Sequence, residues 1–330
     1  MQQRSLGKTG RAVGEIGLGT WQLGANWGDV SEEDAIATLQ AAVSGGVNFL
    51  DTADVYGAGR SETIIGEFLS DHCDDPDEIF VATKLGRGSE PGGAENFTRA
   101  AVRQHTEDSL ERLGVDALDL TQLHCVPTEV LKQGELLGWL DELKTEGKIK
   151  AFGASVESMD EALFCIEDGR VASLQIIFNV LRQKPVATLF EQAKAANVGL
   201  IVRLPLASGL LGGKMSKYTT FAADDHRNFN RDGQAFNVGE TFSGLPFETG
   251  LELIEDLRPL VPEGMTMAQM ALRWILDHDA VSAIIPGARN PEQVAANLSV
   301  AELPPLGAEL HAKLAEFYAN QVAAHIRGPY

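Results

Sequence analysis

Short apolar, β-branched runs alternate with amphipathic segments from one end of this 330-residue chain to the other, and no other feature limits its possible folds so sharply. Strands separated by helices pair in parallel, because each connection returns along a helix packed on the sheet. Eight strand candidates stand at 15–19, 47–51, 79–83, 117–123, 149–153, 173–177, 199–203 and 281–285. They read as nearly continuous hydrophobic stretches, such as Leu200, Ile201 and Val202, as expected where both faces of a strand are covered. Helical patterns lie between them. In SEEDAIATLQAAVSGG, Ser31 is placed to cap a first turn, Glu32 and Glu33 to complement the helix dipole, and Gly45 and Gly46 to end the helix.

Eight such units predict a closed (β/α)8 barrel of the TIM type. An open doubly wound sheet would carry a GxGxxG turn after its first strand, and GLGTWQLG lacks that spacing. The pieces RSLG and RAVG, joined by KTG, predict a short β-hairpin capping one end of the barrel. From about 204 to 247 the chain is rich in Gly, Asp, Asn and Phe without periodicity, which predicts a functional or mobile insertion after strand seven. A helix at 248–258 follows, and residues 1–330 are expected to form a single domain.

Composition narrows the function classes. A formal net charge of −20 repels nucleic acid and anionic membrane surfaces, leaving a small molecule as the favoured partner. No apolar run approaches the roughly 18 residues needed to span a bilayer, and MQQRSLGKTG has no secretory core, so a cytoplasmic protein is expected. The three cysteines, Cys73, Cys125 and Cys165, have no CxxC spacing, so neither disulfides nor a metal site is expected.

In a barrel of this kind the chemistry gathers at the C-terminal ends of the strands. Those positions carry Asp51 and Tyr56 after strand two, Lys84 after strand three, His124 after strand four, Ser155 after strand five and Gln175 in strand six. Each has an ordinary reading as a turn cap, a solvated strand end or a packed core group. Their coincidence at successive strand ends is much harder to assign to chance.

The segments GVNFLDTADVYG (46–57), FVATKLG (80–86), DALDLTQLHCVP (116–127), KIKAFGASVES (148–158) and SAIIPGARNPEQVAAN (282–297) together resemble the aldo-keto reductase family over nearly the whole chain. The resemblance implies a catalytic tetrad of Asp51, Tyr56, Lys84 and His124 and reduction of an aldehyde or ketone by NADPH. The chemistry fits those roles. Hydride delivered to a carbonyl leaves charge on oxygen that Tyr56 can quench with its proton. Lys84 is expected to make the phenol more acidic, Asp51 to keep Lys84 charged, and His124 to orient the carbonyl.

The resemblance also implies the cofactor contacts. Ser155 and Gln175 would grip the nicotinamide carboxamide, with Thr20, Trp21 and Asp51 beside them. The stretch RLPLASGLLGGK would wrap the pyrophosphate through Arg203, Pro205, Leu206, Ser208, Leu210 and Lys214, and Gly287, Arg289, Gln293 and Asn297 would hold the adenosine end. Arg289 suits a 2′-phosphate, which favours NADPH (NADP+) over NADH. Substrate would meet Trp21, Trp27, Tyr56, His124 and Cys125.

Three positions depart from the family pattern. Val156 follows Ser155 where Asn is common, Arg203 replaces an aromatic ring that stacks on the nicotinamide, and Cys125 replaces the tryptophan after the histidine. Two other readings stay open: a Schiff-base enzyme using Lys84, and a cofactor-sensing subunit with little turnover. Natural substrate, reaction direction and the choice between monomer and homo-oligomer are not legible at this level.

Overall fold

The computed structural model describes residues 1–24, 30–87 and 93–330. Strands β1 (Gln3–Ser5) and β2 (Ala12–Gly14) pair antiparallel as a hairpin, with Arg4 opposite Val13. Eight strands then form one parallel sheet in chain order: β3 (Leu18–Gly19), β4 (Phe49–Asp51), β5 (Phe80–Leu85), β6 (Leu120–His124), β7 (Phe152–Ser155), β8 (Ser173–Ile177), β9 (Gly199–Arg203) and β10 (Val281–Ile284). Parallel bridges from Ile16 to Ile284 and from Gly19 to Gly287 close β10 onto β3, so the sheet is the expected barrel.

All eight strand candidates are present; 173–177 and 199–203 match their strands end to end, and the other six have shifted ends. The predicted strand at 149–153 runs instead over Phe152–Ser155, and its early part keeps only the bridge between Ile149 and Leu118. Of 15–19 only Leu18 and Gly19 form a ladder, because Ile16 and Gly17 are spent on closing the barrel against Ile284.

Inside the barrel, side chains alternate along each strand between the lumen and the helix layer. Phe49, Phe80, Ala82, Leu120, Ala151, Ala172, Ile201, Ala283 and Ile285 form a separate apolar interior, completed by Leu6 and Val13 of the hairpin. The hairpin therefore plugs the N-terminal end. Gly7 makes this possible, since its φ is +51° and a Cβ there would meet the Ala172 oxygen at 2.2 Å. Arg4 pins the plug by donating to Glu15 Oε2 (2.7 Å), Leu276 O (2.5 Å) and Val281 O (2.9 Å).

The larger apolar cluster lies between the strands and the surrounding helices. These include α1 (Glu32–Ser44), α2 (Arg60–Glu67), α3 (Arg99–Leu113), α4 (Glu135–Thr145), α5 (Met159–Asp168), α6 (Phe190–Ala195), α7 (Phe247–Leu257), α8 (Met267–Leu276), α9 (Pro291–Leu298) and α10 (Ala308–Phe317). Their starts follow the sequence. Ser31 caps α1 as predicted by accepting from Asp34 N, while Ser158 with Glu161 and Thr266 with Gln269 make capping boxes for α5 and α8.

The insertion after β9 holds only short helical turns, at Ala207–Gly212, His226–Phe229, Val238–Glu240 and Phe242–Gly244. Its order comes from tertiary contacts. Arg327 donates to Gly244 O (2.9 Å) and Asp232 Oδ1 (2.8 Å), tying the C-terminal tail across it. No helix among the described residues is long and apolar enough to cross a membrane.

Candidate active site

The same alternation that packs the lumen with apolar groups brings polar ones to its C-terminal rim. Two residues beyond Phe49 comes Asp51, two beyond Ala82 comes Lys84, and four beyond Leu120 comes His124, with Gln122 between. Register then sets them side by side: Lys84 opposite Gln122, His124 opposite Ser155, and Ser155 opposite Gln175. Asp51, Lys84, Gln122, His124, Ser155 and Gln175 are all buried.

Lys84 is the hub. Its Nζ donates to Asp51 Oδ1 at 2.6 Å, Thr52 O at 2.8 Å and Tyr56 OH at 3.2 Å, which uses its three protons. Asp51 Oδ2 accepts from Gln175 Nε2 at 2.7 Å and from Gln122 Nε2 at 3.3 Å. Thr20 closes the network from behind, its hydroxyl donating to Asp51 O at 2.9 Å. Four partners thus fix one carboxylate and one ammonium in a dry site, the arrangement a buried ion pair requires.

Burial works against the Lys84 ammonium, but Asp51 and then Tyr56 outweigh it and hold its proton more firmly than usual. Burial likewise pushes the Tyr56 phenol up from its ordinary value, and the pull of Lys84 downward is the smaller effect. Lys84 thus acts on the phenol in the expected direction, but it limits the rise and does not reverse it. His124 goes the other way, because burial and then the charges of Arg87, Lys84 and Arg203 hold it well below the ordinary imidazole range. At neutral pH the site presents a protonated phenol, an ammonium and a neutral imidazole. His124 stands edge-on to Tyr56, with ring centroids 6.1 Å apart, and its Nδ1 is buried without a partner among the described residues.

Trp21 stacks on Tyr56 at 5.9 Å between centroids and touches His226 of the insertion at 4.9 Å. Trp27 falls outside the described residues. Cys125 is in the site, in left-handed backbone at φ 53°, beside Arg203 and Arg87. Ala58, Leu204, Ala207, Ser208, Phe242 and Ser243 share that conformation, all in loops that follow strand C-termini. Such φ values strain any residue but glycine.

The candidate cofactor residues divide. The Ser155 hydroxyl is buried with no partner among the described residues, which leaves it a donor to give to an outside group. Gln175 is occupied through its amide nitrogen by Asp51. Arg203 is buried, with Nη2 on Val156 O at 3.3 Å and Nη1 on Glu240 at 3.2 Å. Pro205 is buried, Leu206 half-buried and Lys214 exposed, so this turn runs from core to solvent. Ser208 is turned inward, donating to Glu240 O and accepting from Phe242 N, and Leu210 lies in the core against Gly250.

After β10 the backbone of Gly287 lies under Gln22, whose amide a Cβ would strike at 2.2 Å. Asn290 caps α9, Gln293 Oε1 accepts from Arg289 N at 3.0 Å, and Asn297 Nδ2 donates to Gly287 O at 3.3 Å. Arg289 is partly buried and its acidity is shifted by burial and then by the nearby charge of Arg227. The Arg289 guanidinium thus lies beside a capped helix start, an arrangement suited to phosphate, while the nearby Arg227 is paired with Asp225 at 2.5 Å.

Four residues of the site were not singled out in the sequence: Gln122, Arg87, Glu157 and Glu240. Gln122 was legible, two residues before His124 on the lumen face. Arg87 was three residues past Lys84, but nothing in the sequence joins it to Glu240, 153 residues on. Cys125, Glu157 and Glu240 lie within 4.8 Å of one another as possible metal ligands, a grouping that sequence spacing does not suggest. The Arg87 and Arg203 guanidiniums already hold the Glu240 carboxylate, at 2.8 and 3.2 Å, and they repel a cation there.

Comparison with known proteins agrees with this geometry. The model of the aldo/keto reductase family matches residues 15–319. The aldo-keto reductase YhdN of Bacillus subtilis (strain 168) is 30% identical over 300 residues, covering 90% of this chain and 87% of the relative. The NADH-specific methylglyoxal reductase of Escherichia coli (strain K12) is 28% identical, covering 91% and 93%. Among solved structures, the glycerol dehydrogenase AKR11B4 from Gluconobacter oxydans superposes with a TM-score of 0.79 at 28% identity, covering 99% of this chain and 98% of that one. With the barrel closed, the polar rim assembled and the family model matched over nearly its full length, the chain belongs to the aldo/keto reductase family.

Proposed function

We propose that residues 1–330 form one catalytic domain that reduces small carbonyl compounds, with Tyr56 as the acid and NADPH as the reductant. The observation that carries this reading is the contact of Lys84 Nζ with both Asp51 and Tyr56 at the barrel rim, beside a neutral His124. A bound reduced nicotinamide supplies a hydride to the carbonyl carbon. Tyr56 then gives its proton to the carbonyl oxygen, and because burial keeps the phenol protonated the proton is present at neutral pH. Lys84 stabilises the phenolate left behind, and Asp51 keeps Lys84 in position. His124 donates a hydrogen bond that orients the oxygen.

The Ser155 hydroxyl is suited to hold the carboxamide, and Arg289 supports a preference for a 2′-phosphate. The E. coli relative is NADH-specific by name, so this preference needs its own measurement. A protonated Lys84 with all three hydrogens engaged has no lone pair for a Schiff base, which weighs against that alternative. The sensor reading predicts binding without turnover. Absorbance loss at the dihydronicotinamide band, followed with a panel of aldehydes and either dinucleotide, tests all of this. Tyr56→Phe is expected to keep dinucleotide affinity, read by fluorescence, and lose about 10²–10⁴ in kcat. Near-normal turnover in that variant removes Tyr56 from the reaction.

A further inference from the structure

One wall beside His124 is built from charge. Arg87, just past β5, places Nη1 at 2.9 Å from Glu240 Oε2 and Nη2 at 2.8 Å from Oε1. Arg203, at the end of β9, places Nη1 at 3.2 Å from the same Oε2. Both guanidiniums also touch Cys125 Sγ, at 3.5 and 3.7 Å, and Cys125 directly follows His124. The carboxylate reaches this position from the insertion, where Ser208 Oγ grips the Glu240 backbone oxygen at 3.0 Å. Glu240 is 3% exposed, so water offers it and its partners little screening.

A further charge near this wall comes from Glu157, after β7, within 4.8 Å of Glu240. Its carboxyl is held up at about 7 by burial and by the charge of Glu240. With Glu157 ionised, Arg87 and Arg203 balance Glu240 and Glu157 among the described residues. Remove the Glu240 charge and the wall turns positive one residue from the group that orients the carbonyl.

We propose that Glu240 is a positioning and specificity-determining residue, which binds Arg87 and Arg203 together and so keeps the wall beside His124 charge-balanced, selecting uncharged carbonyl substrates over carboxylated ones. This rests on the reductase reading above. An anionic substrate would have to displace Glu240 to reach either guanidinium, and an unpaired anion gains nothing from a neutral wall. Neutral polar carbonyls meet no such competition.

The test compares 4-carboxybenzaldehyde with 4-nitrobenzaldehyde, which share shape and differ in charge, at about pH 8 where Glu157 is ionised. The wild-type enzyme is expected to favour the nitro compound in kcat/KM. Glu240→Gln, which keeps size and one acceptor, is expected to raise the carboxy-to-nitro ratio about tenfold or more. Arg87→Gln, at a partly exposed position that risks the fold less, should lower the ratio below wild type. Adding Arg87→Gln to Glu240→Gln should bring it back, which a merely structural effect would not do.

Calorimetric titration with benzoate reads the wall without turnover: Glu240→Gln should bind it about tenfold more tightly than wild type. A ratio and a benzoate affinity that both stay within about twofold of wild type overturn the proposal while leaving the reductase reading intact. If the wild type turns over neither aldehyde with either dinucleotide, the reductase reading fails, and the specificity proposal fails with it.

Discussion

Lys84 shows how much one side chain depends on its neighbours. A fully buried ammonium survives here because Asp51, Thr52 O and Tyr56 take its three protons. Asp51→Asn leaves that ammonium without a counter-charge, and the expected outcome is a loss of about 3–5 kcal/mol of stability in denaturant unfolding, together with reductase activity. Arg289 makes a separate, milder prediction. Arg289→Leu should raise the KM for NADPH about tenfold and leave that for NADH nearly unchanged; equal effects on both would place the 2′-phosphate elsewhere.

At the scale of elements, strands and capped helices were readable because burial has a period. Ser31 capped its helix as expected, and the lumen-facing alternation carried Asp51, Lys84, His124 and Ser155 to one rim. The insertion was readable only as an interruption. Its structure comes from contacts between residues far apart, such as Arg327 on Gly244 and Asp232, and Glu240 on Arg87, which leave no local pattern. For the same reason the sequence could not show that Ser208 and Leu210 point inward, or that Arg203 is engaged with an acid. A segment held by such contacts and lying next to the candidate pyrophosphate turn should respond to ligand. Limited proteolysis within 204–247 is expected to slow when NADPH is added, and unchanged cleavage counts against a covering role.

The whole molecule carries its titration as well as its fold. Glu157 and Asp54 take up protons at about 7, against ordinary values of 4.5 and 3.8, chiefly because both are buried. A raised value means that the folded chain binds the proton more tightly, so this stability is complete below the ordinary value and lost as pH rises through 7. Glu240 runs oppositely: burial opposes its charge, but Arg87 and Arg203 hold it at about 2, and its contribution is lost only as acid approaches that value. Buried histidines held low (His105, His124, His226 and His278) pull the other way, so the reading is a difference: Glu157→Gln is expected to make the slope of melting temperature against pH, between about 5 and 8, less negative than in wild type. An unchanged slope would mean that Glu157 does not titrate there.

The left-handed backbone at Ala58, Cys125, Leu204, Ala207, Ser208, Phe242 and Ser243 has a further consequence. Each costs about 1 kcal/mol that glycine would not, and all lie at the end where reaction is proposed. Hardening the enzyme by relieving those sites would also free the loops that aim its reacting groups. Gains in heat resistance are better sought at the plugged end, where Leu6 and Val13 seal a lumen that has no chemistry to perform.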